Sequence, residues 1–242
     1  LLLAAGKVFG AQPPALSWAA AALEMVHCAS LVLDDLPCMD DAPLRRGQPT
    51  LHLRFSQATA ILAAFALQAR ALSLFPQALA KAGLAPAFCL AWTERLAQLV
   101  ETLCQGQQGD LLLKAEEVSL ETLEQVHAGK TGVFFEFAAR LGAFAGGAEA
   151  ESLALVAAFA RNLGLAYQVV DDVRDVVASE EQAGKPQGQD ARFHKPTFVT
   201  LLGIEGARQL ALELLQAAEE SLQPLGQAQP LQAFLQDVRA LL

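Results

Sequence analysis

The sequence predicts an all-α protein, a single-domain bundle of helices. Three observations lead there. No run alternates apolar and polar residues with a period of two, so no strand signal stands out. Ala, Leu, Gln and Glu dominate, and these residues favour helix. Prolines are scattered elsewhere, but none falls between Pro86 and Pro186, which leaves room for long helices.

The first helix is expected from about Pro14 to Asp35. Prolines near its first turn cost little, because the N–H they lack has no partner there. Its body, Trp18 to Leu33, is almost wholly apolar. A second helix is expected from Ser56 to Leu74 and a third from Ala87 to Leu103, with Gly83, Gly106 and Gly109 as breaks. A fourth opens at Ser119, a residue suited to an N-cap, and runs to about Phe144 with Lys130-Thr131 in its interior. A fifth, Glu151 to Val177, is apolar nearly all round, the mark of a central helix. Two amphipathic helices close the chain, Glu205–Leu222 and Leu231–Leu242. In the last, Leu231, Phe234, Leu235, Val238 and Leu242 form one stripe. No linker, repeat or low-complexity tract interrupts residues 1–242, so one domain is expected.

The formal charge of −9 argues against a nucleic-acid partner, which would need a basic face. Hydrophobic residues make up 53% of the chain, which raises the question of a membrane. The best uncharged runs, Val8–Leu23 and Ser56–Ala69, fall short of the roughly 20 residues a span needs, so no membrane span is expected. Cys28, Cys38, Cys89 and Cys104 lack paired spacing and fit a reducing cytoplasm. The chain opens at Leu1 inside an apolar run, so a segment is expected to precede it.

The chemistry concentrates in two acidic clusters. Asp34, Asp35, Asp40 and Asp41 lie at the end of the first helix, followed by Arg45-Arg46-Gly47. Asp171, Asp172 and Asp175 lie near the end of the fifth, with Arg174 among them. Both stand at helix C-termini, where the dipole disfavours negative charge, and a bound cation would offset that cost. Asp171 and Asp175 share a face at i, i+4. Asp34 and Asp40 would point about 120° apart on a continuous helix. Pro37 breaks the helix and lets the chain turn Asp40 back. Carboxylate oxygens with water suit Mg²⁺ bridging to phosphates. Arg45 and Arg46 suit phosphate oxygens, and Lys185 and Lys195 stand close after the second cluster.

These residues resemble the trans-isoprenyl diphosphate synthases. The motifs are DDLPCMDD with RRG, HAGKTG, YQVVDDVRD, GKPQGQD and HKPT, and the likeness covers essentially the whole chain. It is nearest to the bacterial geranylgeranyl diphosphate synthases, because Ala60-Ile61-Leu62-Ala63-Ala64 fits that subgroup better than the farnesyl enzymes. The resemblance implies the isoprenoid synthase fold, a helical bundle with a central apolar cavity, usually as a homodimer, and condensation of isopentenyl diphosphate with an allylic diphosphate. It implies that Asp34 and Asp40, with Asp35 nearby, bind Mg²⁺ on one side of the allylic diphosphate. Asp171 would bind it on the other, supported by Asp172 and Asp175. Arg45, Lys130 and Lys185 would grip the allylic diphosphate, and Arg46 and His27 the isopentenyl diphosphate. Thr131 and Gln168 would line the reacting centre and Lys195 would close over it. Gln107 and Asp110 match an element whose polar groups face the cavity.

Product length would be set by Val26, Ala29 and Ser30, below the first cluster. A small residue at Ala29 leaves room for a C20 product; C15 is the alternative. A non-catalytic subunit of a heteromer is disfavoured, since such subunits usually lose one acidic motif. Phe134, Phe135 and Tyr167 read as core, and His52, His127 and His194 as structural. The family's Gly-Lys-x-x-Arg-Pro element is expected just before Leu1.

Overall fold

A computed structural model describes residues 1–113, 118–177 and 195–242. The chain opens with α1 (Leu2–Val8) and α2 (Pro13–Asp34), whose prolines occupy its first turn. A short ribbon follows, β1 (Leu44–Arg45) antiparallel to β2 (Gln48–Pro49). Then come α3 (Leu51–Arg54), α4 (Gln57–Lys81) and α5 (Pro86–Leu112). Ser56 caps α4, its hydroxyl accepting from the Thr59 N–H at 3.1 Å. Ser119 caps α6 (Leu120–His127) in the same way. A π-helical segment, Ala128–Gly132, joins α6 to α7 (Val133–Ala145). The long α8 (Ala150–Val177) comes next. Further along, Thr197 opens α9 (Phe198–Leu222) with a capping box to Thr200, and α10 (Gln229–Arg239) follows.

The all-α expectation holds, with local differences, and the short helices α1 and α3 were not expected. The ribbon was not expected, because two-residue strands leave no alternation to read. α4 runs straight through Pro76. The carbonyl that this proline leaves unbonded belongs to Leu72 on the exposed side, where water can serve it. Gly106 and Gly109 do not break α5; Gly106 marks a close approach described below. The single helix expected from Ser119 to Phe144 is divided by the π segment.

Two apolar clusters hold the bundle. One gathers α8, α9 and α10 through Phe159, Leu163, Leu215 and Leu231. The other gathers α2, α4 and α5 through Leu16, Phe75, Leu79, Trp92 and Leu96. α7 joins them, with Ala139 and Ala143 in the first cluster and Phe137 and Leu141 in the second. Each large side chain fully withdrawn from water contributes about 1.5–3 kcal/mol, so α8, with Phe159 and Leu163 at zero exposure, anchors the fold.

Three helical stretches, Pro14–Asp34, Gln57–Lys81 and Ala150–Val177, are long and apolar enough to cross a membrane by length and composition. This corrects the expectation drawn from uncharged runs, which one or two charges were enough to interrupt. Two of the three, α2 and α8, deliver their carboxylates into a shared cavity. α4 instead leaves Ile61, Leu62, Phe65 and Leu72 exposed.

Candidate active site

The first cluster is shaped by the end of α2. Asp35 is the C-cap, its N–H donating to the Leu31 carbonyl. Beyond Pro37 the chain doubles back, and the Asp40 N–H donates to the Asp34 carbonyl at 2.9 Å. Asp40 is thus returned toward Asp34, as the proline predicted. The ribbon then turns through Arg46 (φ 52°) and Gly47 (φ 73°). Two successive left-handed residues are the pattern of a type I′ hairpin turn, which Arg46 adopts without glycine's freedom. Arg45 donates from Nε (2.9 Å) and Nη2 (2.6 Å) to one oxygen of the buried Asp35. Asp35 does not line the cavity, whereas Arg45 does.

The second cluster sits on α8. Asp172 is buried with its carboxylate in use: one oxygen accepts from the Phe198 N–H at 2.9 Å, the other from Gln168 Nε2 at 3.3 Å. Gln168 Oε1 accepts in turn from the Thr131 hydroxyl at 3.3 Å. One chain of bonds therefore ties the π segment, α8 and the start of α9.

The π segment is set by glycines on both sides. A Cβ on Gly106 of α5 would stand 2.5 Å from the Lys130 backbone N, and one on Gly164 of α8 would stand 3.0 Å from the Gly132 Cα. Only glycine permits that approach. It brings Lys130 to Asp110, one turn beyond Gly106, at 2.8 Å.

Both clusters open on one cavity of about 920 Å³. Asp34, Asp40, Asp171, Asp172 and Asp175 line it, as do His27, Arg45, Arg46, Lys130, Thr131, Gln168 and Lys195. Its apolar wall includes Leu23, Phe134, Phe135, Ala138 and Leu163. Along α2 the lining residues Ala20, Leu23, Glu24, His27, Ser30, Leu31 and Asp34 follow the three-to-four spacing of one helix face. Ala29 and Val26 fall off that face and are fully buried, so of the three residues expected to set product length only Ser30 reaches the cavity. Lys185 lies outside the described residues, as does His194.

The family model for polyprenyl synthetases matches residues 1–229. The chain belongs to the polyprenyl synthetase family. This polyprenyl synthetase is 39% identical over 229 residues to the farnesyl diphosphate synthase of Escherichia coli (strain K12), covering 94% of the chain and 77% of that relative. It is 41% identical over 226 residues to a mitochondrial geranylgeranyl pyrophosphate synthase of Arabidopsis thaliana, covering 92% of the chain but only 65% of that relative. In structure it resembles a geranyltransferase from Helicobacter pylori complexed with magnesium and isoprenyl diphosphate. The TM-score is 0.81 at 30% identity, over 99% of this chain and 82% of that one.

Charge is tightly balanced at the mouth of this synthetase. Burial, reinforced by Asp40 and Asp110, pushes the Asp34 carboxyl up to about 6 despite Lys130 and Arg45. Burial opposes charge on Asp110 as well, but Lys130 and Lys195 hold its carboxyl below the usual range. Burial also opposes the Lys130 ammonium, and Asp110, Asp34 and Asp40 outweigh it and raise its pKa. Lys195 donates to Asp40 at 2.8 Å and to Asp110 at 3.2 Å. Burial lowers the His27 pKa against the pull of Glu24, which favours the neutral ring.

Several lining residues were missed from sequence. His127, read as structural, lines the cavity, and burial with the neighbouring lysines lowers its pKa to about 4. His127 Nδ1 and Gln107 Oε1 are buried with no hydrogen-bond partner among the described residues. Phe134, Phe135 and Tyr167, read as core, also line the cavity; Phe134 packs on His27 at 6.0 Å and Phe135 on Tyr167 at 5.8 Å. An aromatic beside an apolar core carries no sequence mark that separates wall from interior.

Proposed function

We propose that this chain joins isopentenyl diphosphate to an allylic diphosphate and makes geranylgeranyl diphosphate (C20). One observation carries the reading: Asp34, Asp40 and Asp171, from helix ends far apart in the chain, line one apolar-walled cavity with Lys130, Lys195, Arg45 and Arg46. The donors fit Mg²⁺, since they are carboxylate oxygens and burial leaves Asp34 short of compensating charge. No three such groups already surround one point among the described residues. Asp34, Asp40 and Asp171 would hold the ions, with Asp35, Asp172 and Asp175 supporting them. Bound magnesium supplies charge neutralisation that makes the diphosphate a leaving group.

The remaining steps belong to the protein's own residues. Arg45, Lys130 and Lys185 grip the allylic diphosphate, while His27 and Arg46 hold the isopentenyl diphosphate. The allylic carbon–oxygen bond breaks, and the isopentenyl double bond attacks the resulting carbocation. A proton leaves to the departing diphosphate, so no side-chain base is required. Thr131 and Gln168 orient the reacting centre, Lys195 closes over it, and Leu23, Phe134 and Leu163 keep water from the cation.

The small Ser30 below Asp34 favours a C20 chain; the likeness to a farnesyl diphosphate synthase favours C15. Incubation with labelled isopentenyl diphosphate and each allylic starter, with product length read out, tests both. Absence of any prenyl product from protein that includes the preceding segment would sink the reading. The exposed Ile61, Leu62, Phe65 and Leu72 of α4 fit a homodimer contact. Sedimentation would give a monomer if that face is not used, and vesicle flotation would reveal a bilayer on it instead. Four free cysteines suit a cytoplasmic setting.

A further inference from the structure

We propose that Asp110 is a positioning residue that gathers Lys130 and Lys195 into one anion-binding pair, and so strengthens diphosphate binding although it carries the diphosphate's own sign. The proposal rests on the diphosphate reading above. Asp110 is buried on α5 at the cavity wall. One of its oxygens, Oδ2, accepts from Lys130 Nζ at 2.8 Å and from Lys195 Nζ at 3.2 Å.

The two lysines come from unrelated places. Lys130 stands on the π segment and Lys195 just ahead of α9. Left alone, two ammonium groups brought to one wall would repel, and each long side chain would lose rotamer freedom on meeting a ligand. A shared carboxylate cancels the repulsion and fixes both arms beforehand. Lys195 also reaches Asp40 at 2.8 Å, so the pair stands beside the first acidic cluster, where an anion held by cations there would meet it. Gly106 sets the register, since its missing side chain lets α5 approach the backbone of Lys130.

The sign of one measurement separates this role from its opposite. A carboxylate that merely lined an anion site would repel the anion, and its neutralisation would tighten binding. A carboxylate that assembles the cations does the reverse. The probe is inorganic pyrophosphate titrated calorimetrically into the full chain at fixed Mg²⁺. Asp110→Asn is expected to weaken pyrophosphate at least about tenfold, the size of one lost charge-assisted contact, and to lower the melting temperature as well, since Lys130 and Lys195 lose the carboxylate that compensates their burial. In turnover the KM for the allylic substrate should rise more than kcat falls. Lys130→Met added to Asp110→Asn should cost less than the product of the single effects, because both act through one ammonium. Should Asp110→Asn not fold, Asp110→Ser, smaller and also uncharged, gives the same reading. Unchanged or tighter pyrophosphate binding in the folded variant, or fully multiplicative effects, would overturn the proposal alone. A wild type that binds no pyrophosphate would overturn the diphosphate reading and this proposal with it.

Discussion

Asp34→Asn should make the metal-free protein more stable while it abolishes turnover. The Asp34 carboxyl is raised from 3.8 to about 6, chiefly by burial. An acid whose pKa is higher in the folded state binds its proton more tightly there. It therefore contributes no penalty below about pH 4, and the folded state loses stability as pH climbs from about 4 to about 6, with no further loss above that. A rise of about 2 units at about 1.4 kcal/mol each gives roughly 3 kcal/mol at neutral pH. That is an upper limit, because Asp34 keeps some contact with the cavity. In a chain of this size roughly 3 kcal/mol corresponds to about 6–12 °C in melting temperature. The assay is thermal unfolding of wild type and Asp34→Asn in chelator at pH 4.5 and pH 7.5. The variant's advantage should be only about 1 kcal/mol at the lower pH and reach its full size at pH 7.5. Mg²⁺ with pyrophosphate should reverse the order, since only the wild type gains the ligand's binding energy. A variant that melts below the wild type at pH 7.5 in chelator would refute the reasoning.

Other perturbations follow from the geometry. Ser30→Phe should shorten the product by one isoprene unit, read by chromatography of the dephosphorylated alcohols. Ala29→Phe should instead overpack a fully buried site and cost about 1–3 kcal/mol in denaturant unfolding, with product length a secondary effect. Arg46→Asn supplies the Asn-Gly pair that a left-handed two-residue turn prefers. It should raise stability by up to about 1 kcal/mol and raise the KM for isopentenyl diphosphate. Gly106→Ala should cost at least about 2 kcal/mol and lower kcat, because a methyl group cannot stand 2.5 Å from the Lys130 nitrogen.

Much of the site was legible because its residues break local rules. Carboxylates at the C-termini of apolar helices are unfavourable without a cation, and Pro37 announces the turn that returns Asp40. What stayed hidden were contacts between distant segments. Asp35 reads as one more acid in its cluster, yet it spends its charge on Arg45. Asp172 reads like Asp171, yet it caps α9 from 26 residues away in sequence. Val26 and Ala29 lie within reach of Asp34 by residue count, but the face of α2 is decided by what packs against it. The second helix was expected to end at Leu74, yet buried Phe75, Ala78 and Leu79 carry α4 on through Pro76. Gly106 and Gly109 carry the composition of a break, and only the neighbouring π segment explains Gly106.

The widened turn at Ala128–Gly132 holds one residue more than an ordinary turn would. Losing any one residue there could let α6 and α7 fuse into a continuous rod with better backbone bonding. The gain would be self-defeating: the flanks would keep their phase, since the wide turn only absorbs its extra residue, but Lys130 and Thr131 would lose the positions that the wide turn gives them. Lys130 would leave Asp110, and Thr131 would leave Gln168. Length variation within this family should therefore be absent from these five positions and common in the connections between helices, a pattern that sequencing of close relatives can check.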